Sequence, residues 1–533
     1  MAKPAPSTNG SLGNKSGWEA TGYDYRDNTI EGFPCLHEFQ IGGISLMPTV
    51  GELLTVPGLP SDTIKTGYRS RFSHENEVVK PGYYSVLLDD YQIQAELTAT
   101  ERVAFQRFTF PQGQEKHILF NIGNRQGESG AVKDAYVVYN QDGTVEGWVI
   151  TEPEYVKKYQ PGAVVPLYFF AVLDKEPLNY GAYNGNVQQP GVRESKGVGA
   201  GMYFSFASEN QEVVTAKIGL SYTSVENARL NLQQEASDLD FDHAKERAQA
   251  TWEDYLGRIR VETECREDKV KFYTGLYHAL LGRGLASDVN GAYPRNDGSV
   301  GQLPMKEGTP LYNIYNTDAA WGAQWNLSQL WILAYPEYMS EYISSHLQAY
   351  KDAGWLADGL ANNRYVSGVG TNLLSTIIAG AYECGIRDFD TNIAYEACLK
   401  NELEGKNRPF GAGKVNTTEF VKYGYVPHQD AGEGYHETFM FSASHTLEYS
   451  YSAWAVAQWA KQLGDEAHYS QLMDLSKGWE RLYDSSCNFI RPKKADGKFV
   501  DNFDPMQVWR GFQEGNAWQY TFYVPHDVKS LVA

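Results

Sequence analysis

The chain has no uninterrupted run of about 18 apolar residues, so no part of it reads as a membrane-spanning helix. It is also poor in cysteine. Cys35, Cys265, Cys384, Cys398 and Cys487 are odd in number and scattered, which excludes the close pairs of a zinc site and predicts mostly buried thiols with room for one disulfide. Basic clusters are missing too: 46 Lys and Arg against 66 Asp and Glu give a formal charge of −20, which repels phosphate backbones and argues against a nucleic-acid partner. The opening MAKPAPSTNGSLGNKSG lacks the apolar core of a signal peptide, and residues 1–20 read as a flexible end. No self-similarity at a period of 20 to 50 residues supports a solenoid.

Aromatic side chains are plentiful. They make up 14% of the chain, with 12 Trp and 37 Tyr, and such rings suit the apolar C–H face and hydroxyl rim of a pyranose. Large Tyr-rich cores account for the same composition. At 533 residues the chain exceeds what one compact core holds, so at least two domains are expected.

The hydrophobic period changes along the sequence. Over residues 21–235 the signals are strands and turns: Ile93, Ala95, Leu97 and Ala99 alternate with polar neighbours, and Asp142-Gly143 separates AYVVYN from TVEGWVI as a hairpin turn does. Further β-type runs, VVPLYFFAVL and GMYFSFAS, make a large antiparallel sandwich the economical reading. Phe241, Ala244, Ala248, Trp252, Tyr255 and Ile259 then fall three or four apart, predicting a linker helix over 236–262. From 263 to 533 helical stripes continue, among them Tyr273, Leu276, Tyr277, Leu280 and Leu281, and the i+4 series Leu447, Tyr451, Ala455, Trp459 and Leu463. Long Gly-, Asn- and Tyr-rich connections at 287–313 and 410–437 carry the polar and aromatic groups of a carbohydrate cleft.

The densest constellation for acid/base chemistry is RGFQEGNAWQYTFYVPHDV, residues 510–528. It places Glu514 beside Asn516, Trp518, Gln519 and Tyr520, and a carboxyl among aromatic rings can have its pKa raised toward what a general acid needs. A helix N-terminus, with Glu514 on backbone N–H groups and Trp518 and Tyr520 in a core, fits the same residues.

Several segments, taken in order, resemble glycoside hydrolase family 92. They are YRSRFSHENEVVKPGYYSVLLDDYQIQAELTATERVAFQRFTFP at 68–111, FYTGLYHALL at 272–281, AYECGIRDFD at 381–390, YGYVP at 423–427, HTLEYSYSAWAVAQWAKQLG at 445–464 and EGNAWQYTFYVPHDV at 514–528. The resemblance implies a β-sandwich followed by an (α/α)6 toroid, and an exo-acting, inverting α-mannosidase on mannose-containing glycans that uses Ca²⁺. It also implies a secreted or periplasmic protein, here expected to be a monomer. The family's general acid is the Glu of its EGNxWQY motif, Glu514 in this sequence, with Asn516, Trp518 and Gln519 lining the sugar site. Inversion needs a second carboxyl about 6.5 to 9.5 Å away as base. The family's base lies downstream of this motif, so a truncated chain, with a partial toroid of about six or seven helices, is the expectation. The calcium ligands are left unassigned.

Family motifs are altered at three places. Leu-Trp-Asp-Thr-Tyr-Arg reads Ala320-Trp321-Gly322-Ala323-Gln324-Trp325, losing the Asp and Arg expected on sugar hydroxyls and leaving Asp318 as the nearby acid to substitute. Gly-Asp-His reads Gly370-Thr371-Asn372, and Gly-Phe-Ser-His-x-His reads Gly32-Phe33-Pro34-Cys35-Leu36-His37. Losing a charged partner for a buried hydroxyl costs about 1.5 to 3 kcal/mol, enough to change which sugar is accepted. Trp18, His37 and Trp321 remain as expected wall residues of the cleft, and Glu433, Glu437 and Glu448 as further carboxyls of the region. A glycan-binding protein without turnover, and a glycosidase of related fold with another sugar specificity, are the competing readings. No Gly-rich phosphate cradle favours a phosphorylase.

Overall fold

The structure is a computed structural model that describes residues 1–8, 22–38, 41–59, 66–126, 129–207, 209–282, 284–430 and 439–533. It divides into two compact units, residues 1–316 with 361–363, and residues 317–360 with 364–533.

The first unit is built on two antiparallel sheets. Nine strands run in the order Glu194–Lys196, Ala131–Tyr139, Thr144–Glu152, Val165–Leu173, Glu212–Ser221, Val103–Phe110, Ile93–Ala99, Tyr83–Leu88 and Val78–Lys80. Six run in the order Val187–Pro190, Asn179–Asn184, Ala200–Phe206, Lys116–Asn121, Ile41–Val50 and Phe33–Glu38. The alternation seen in the sequence sets the faces: Ile93, Ala95 and Leu97 are buried, and Ala95 pairs with Phe108. Between the sheets Phe120 stacks on Phe169 with ring centroids 6.4 Å apart. The Asp142-Gly143 turn joins paired strands, with Tyr139 opposite Val145 and Gly143 at φ 83°, a conformation for which glycine carries no steric penalty.

Two helices, α1 (Val225–Ala236) and α2 (Phe241–Gly257), dock on the nine-stranded sheet. Ala228, Leu232, Phe241 and Ala244 close one core with Val103, Phe105 and Phe170, and the Arg107 guanidinium lies 4.1 Å from the Phe241 ring centroid. Asp240 caps α2 by accepting from the His243 amide at 2.9 Å. Farther along, Trp252 meets Tyr277 of α3 (Arg266–Leu280) at 4.6 Å. The connection at 287–313 is not structureless, since Ala292–Pro294 pairs with Val300–Gln302 and Met305–Lys306 with Thr309–Pro310.

The second unit is helical, with α4 (Pro336–Ala353), α5 (Leu374–Glu383), α6 (Thr391–Leu403), α7 (Ser442–Leu463) and α8 (Glu466–Leu475) its principal elements. Successive helices α5 and α6 pack together, as do α7 and α8, and α7 also packs on α5. The i+4 stripe predicted from Leu447 to Leu463 is only part of what α7 buries: it also buries Ala443, Tyr449, Ala453, Val456, Ala457 and Ala460, while Leu463 is exposed. A helix apolar on most sides belongs inside a bundle rather than on its surface. The cysteines correct one expectation. All five are free, and only Cys35 and Cys398 are buried, while Cys265 and Cys384 are exposed.

Candidate functional site

The segment that carries Glu514 is pinned to the start of α7. At a helix start the first N–H groups have no partner within the helix, and here the amides of Ala443 and Ser444 donate to the Gly511 carbonyl at 2.9 and 3.0 Å. The Ser444 hydroxyl accepts from the Gln513 amide at 3.1 Å, and His445 Nε2 lies 3.2 Å from Gln513 Oε1. Glu514 follows with φ 53°, in the left-handed region that side chains rarely adopt and that clusters at functional positions. Gly515 is required next to it, since a Cβ there would stand 2.9 Å from both Gln519 Oε1 and the Tyr520 ring.

Asn516 and Gln519 form a reciprocal capping box. Asn516 Oδ1 accepts from the Gln519 amide at 3.2 Å, and Gln519 Oε1 accepts from the Asn516 amide at 3.0 Å, opening the short helix Ala517–Tyr520. Their side chains therefore have a structural occupation besides the sugar-lining role expected of them. Glu514 does not cap this helix, and its side chain is exposed. Trp518 is exposed as well, its ring edge-on to Phe489 at 4.9 Å.

The carboxyls that burial pushes up are Glu448 and Asp358. Glu448, on α7, accepts the indole N–H of Trp321 at 2.6 Å through Oε1. Desolvation, and then the like charge of Asp358, raises it to about 7 against the pull of the Trp321 hydrogen bond. Asp358 is raised to about 6, also by burial first, while accepting from the Ser367 hydroxyl at 2.9 Å and the Ala320 amide at 3.2 Å. Tyr520 stands near both Glu448 and Glu514; burial and then these two carboxylates push its hydroxyl up. Tyr523, whose hydroxyl accepts from Gln324 at 2.8 Å, is shifted the same way by burial and Glu448. The structure thus brings Trp321, Glu448, the WQY segment and Glu514 together in one unit.

Trp321 opens an irregular turn. Residues Ala323–Leu327 form a π-helical stretch, a feature frequent at functional sites, and Trp321 meets Trp325 edge-on at 4.9 Å. Gly322 is exposed and Trp325 is 52% exposed at the positions of the altered motif, and Asp318 is exposed. His37 lies in the other unit, buried on strand Phe33–Glu38; neither ring nitrogen has a partner among the described residues, and burial lowers it to about 4, leaving the ring neutral near pH 7. Trp18, Glu433 and Glu437 lie outside the described residues. Asp358 was missed by the sequence reading: a lone acid in WLADG gives no sign that the fold buries it.

Because the folded protein holds the Glu448 proton more tightly than the unfolded chain, stability contributed by the neutral group is complete below about pH 4.5 and is lost as pH rises through about 7. Glu448→Gln removes that loss. Urea unfolding should show the variant gaining up to about 3 kcal/mol on the parent between pH 5 and pH 8. An unchanged difference across that range would mean the carboxyl is not held neutral.

Comparison with known proteins agrees along the whole chain. Residues 1–221 match the glycosyl hydrolase family 92 N-terminal domain and residues 227–533 match the glycosyl hydrolase family 92 catalytic domain. This chain belongs to glycosyl hydrolase family 92. Among its relatives is an uncharacterized secreted glycosidase of Arthroderma benhamiae, 25% identical over 96% of this chain; the chain spans 66% of that relative's length. A family GH92 α-mannosidase of Bacteroides thetaiotaomicron superposes with a TM-score of 0.87 at 25% identity, over 100% of this chain and 68% of its own. A family GH92 inverting mannosidase of Bacteroides thetaiotaomicron VPI-5482 shares the fold with a TM-score of 0.85 at 23% identity, over 100% and 68%.

Proposed function

We propose that the chain serves glycoside hydrolysis, acting as an exo-enzyme on α-linked mannose of glycans with inversion, and that Glu514 is the general acid. The observation that carries this reading is the exposed Glu514 carboxyl, held in a left-handed backbone position by a segment docked on the start of α7 and flanked by Trp518 and Tyr520. A carboxyl so placed can reach a glycosidic oxygen from solvent and hand it a proton as the C–O bond breaks. Trp321, Trp518, Asn516, Gln519 and Asp318, all in the second unit, are proposed to line the sugar. The base is not assigned among the described residues. Pairing of α5 with α6 and α7 with α8 supports reading the helical unit as part of an (α/α)6 toroid.

Calcium is proposed from family membership alone. No group of three or more His, Cys, Asp or Glu side chains converges among the described residues, so no ligands are named and no chemical step is derived through the ion. Export from the cell is proposed likewise; among the described residues no helix is long and apolar enough to cross a membrane.

The test is sugar release from α-linked manno-oligosaccharides, with calcium and with a chelator, followed by NMR of the fresh product. Calcium-dependent release with β-mannose appearing first is the expected result. α-Mannose appearing first would exclude inversion, and release of a different sugar alone would exclude mannose. A second reading, a glycan-binding protein without turnover, is favoured by Gly322 and the exposed Trp325 where the family has Asp and Arg. Calorimetry that finds tight binding of mannose-containing glycans without product would support it.

A further inference from the structure

Trp321 is gripped from two sides by buried acids. Its indole N–H donates to Glu448, and the amide of the preceding residue, Ala320, donates to Asp358. Its ring remains half-exposed and continues through Trp325 to solvent. Glu448 is 2% exposed and accepts that N–H through Oε1. Its other polar neighbour is the hydroxyl of Thr371, which with the indole N–H favours the charged form.

A buried carboxyl is costly, and one that served packing alone would have been better replaced by an apolar side chain. What Glu448 does that an apolar side chain could not is accept the indole N–H. We propose that Glu448 is a positioning residue for sugar binding, fixing the Trp321 ring through its N–H so that the exposed face of that ring stands as a wall of the sugar site. The inference rests on the reading of Trp321 as a sugar-site residue. It adds the residue that acts through it.

The charged and titratable groups around Glu448 set where it ionises. Asp358 raises it as a like charge, Lys414 lowers it as a cation, and Tyr520 and Tyr523 stand close enough to feel it. With Glu448 near 7, the neutral acid predominates in mildly acidic solution. Either form of Glu448 accepts the indole N–H, and the Trp321 hydrogen bond, which lowers Glu448, is the stronger to the carboxylate. The hold on the ring should therefore persist on both sides of pH 7.

The experiment is titration of the full chain with an α-linked mannobiose, read by tryptophan fluorescence and calorimetry at pH 5.5 and pH 8. Glu448→Leu, which keeps the volume and removes the acceptor, should weaken binding about tenfold at pH 5.5 and shift the tryptophan emission. Glu448→Gln keeps an acceptor and should bind within about threefold of the parent at both pH values. Trp321→Phe keeps a ring and removes the N–H, and should make Glu448→Leu nearly silent when the two are combined. If the parent binds mannobiose and the folded Glu448→Leu variant binds equally well, or if Glu448→Gln binds as weakly as Glu448→Leu, the positioning role is wrong while the sugar site stands. If the parent binds no mannobiose, the reading of the site falls and this inference falls with it.

Discussion

Lys414→Met is expected to destabilise the second unit by about 3 to 5 kcal/mol, measured by chemical unfolding near pH 7. The magnitude follows from what is left behind. Lys414 and Glu402 are each 1% exposed at the side chain and meet at 2.5 Å between Nζ and Oε1. The same Oε1 accepts from the Ser452 hydroxyl at 2.6 Å and from the Ser375 hydroxyl, while Lys414 Nζ donates to Ser452 Oγ at 2.8 Å. Four elements meet there, because Ser375 lies on α5, Glu402 on α6, Ser452 on α7 and Lys414 in the segment between α6 and α7. Removing the cation strands a buried carboxylate; its hydroxyl partners supply dipoles but no charge. The double substitution Lys414→Met with Glu402→Gln should recover most of the loss, since Gln keeps an acceptor for Ser375 and Ser452 and carries no charge. Equal destabilisation by the single and double variants would show that packing of the lysine stem, not the ion pair, is what the site provides.

Nothing in the sequence announced this pair. Glu402 sits in LKNELEGKN and Lys414 in FGAGKVN, two polar contexts that read as solvated surface. Their partnership, 12 residues apart and completed by Ser375 on α5 and Ser452 on α7, is a tertiary fact that local pattern does not contain. Period is local, and it was legible. The alternation at Ile93–Ala99 and the turn at Asp142-Gly143 located strands because half-buried sheets repeat every two residues. The Phe241 stripe located α2 because a helix docked on a sheet keeps one apolar side. The stripe on α7 understated the helix for the opposite reason: enclosed by other helices, it buries Ser442, Ser444, Thr446, Ser450 and Ser452 along with its apolar residues, and small hydroxyls blur the pattern. The long connection at 287–313 concealed two short hairpins, each too brief for a period to register.

The site divided along the same line. Glu514, Asn516, Trp518 and Gln519 lie within six residues, so one motif found them together, although the capping box of Asn516 and Gln519 could be seen only once backbone geometry was known. Glu448 stood out less, as one acid on a buried-looking helix. Its contact with Trp321 spans 127 positions in the chain, and only the fold gives it meaning. His37 was grouped with the cleft from its motif, and the structure places it in the sandwich unit with an environment that keeps it neutral.

Glu514→Gln is expected to lower turnover of manno-oligosaccharides by about 10²- to 10⁴-fold while leaving their dissociation constant within a factor of about three. The amide preserves shape and cannot donate a proton to the departing oxygen. The backbone at φ 53° is as available to Gln as to Glu, and the segment is held by contacts of Gly511, Gln513 and Asn516 rather than by the Glu514 side chain, so folding should be unaffected. The leaving group discriminates between a proton donor and a residue that merely binds. An aryl α-mannoside whose phenol is already acidic needs little protonation, so the variant should hydrolyse it at nearly the parent rate. Loss on both substrate types alike would point to binding or positioning of the sugar. Full activity on the oligosaccharide would remove Glu514 from the mechanism, and the search for the acid would pass to the other carboxyl near Tyr520, Glu448, which burial raises to about 7 but which is 2% exposed.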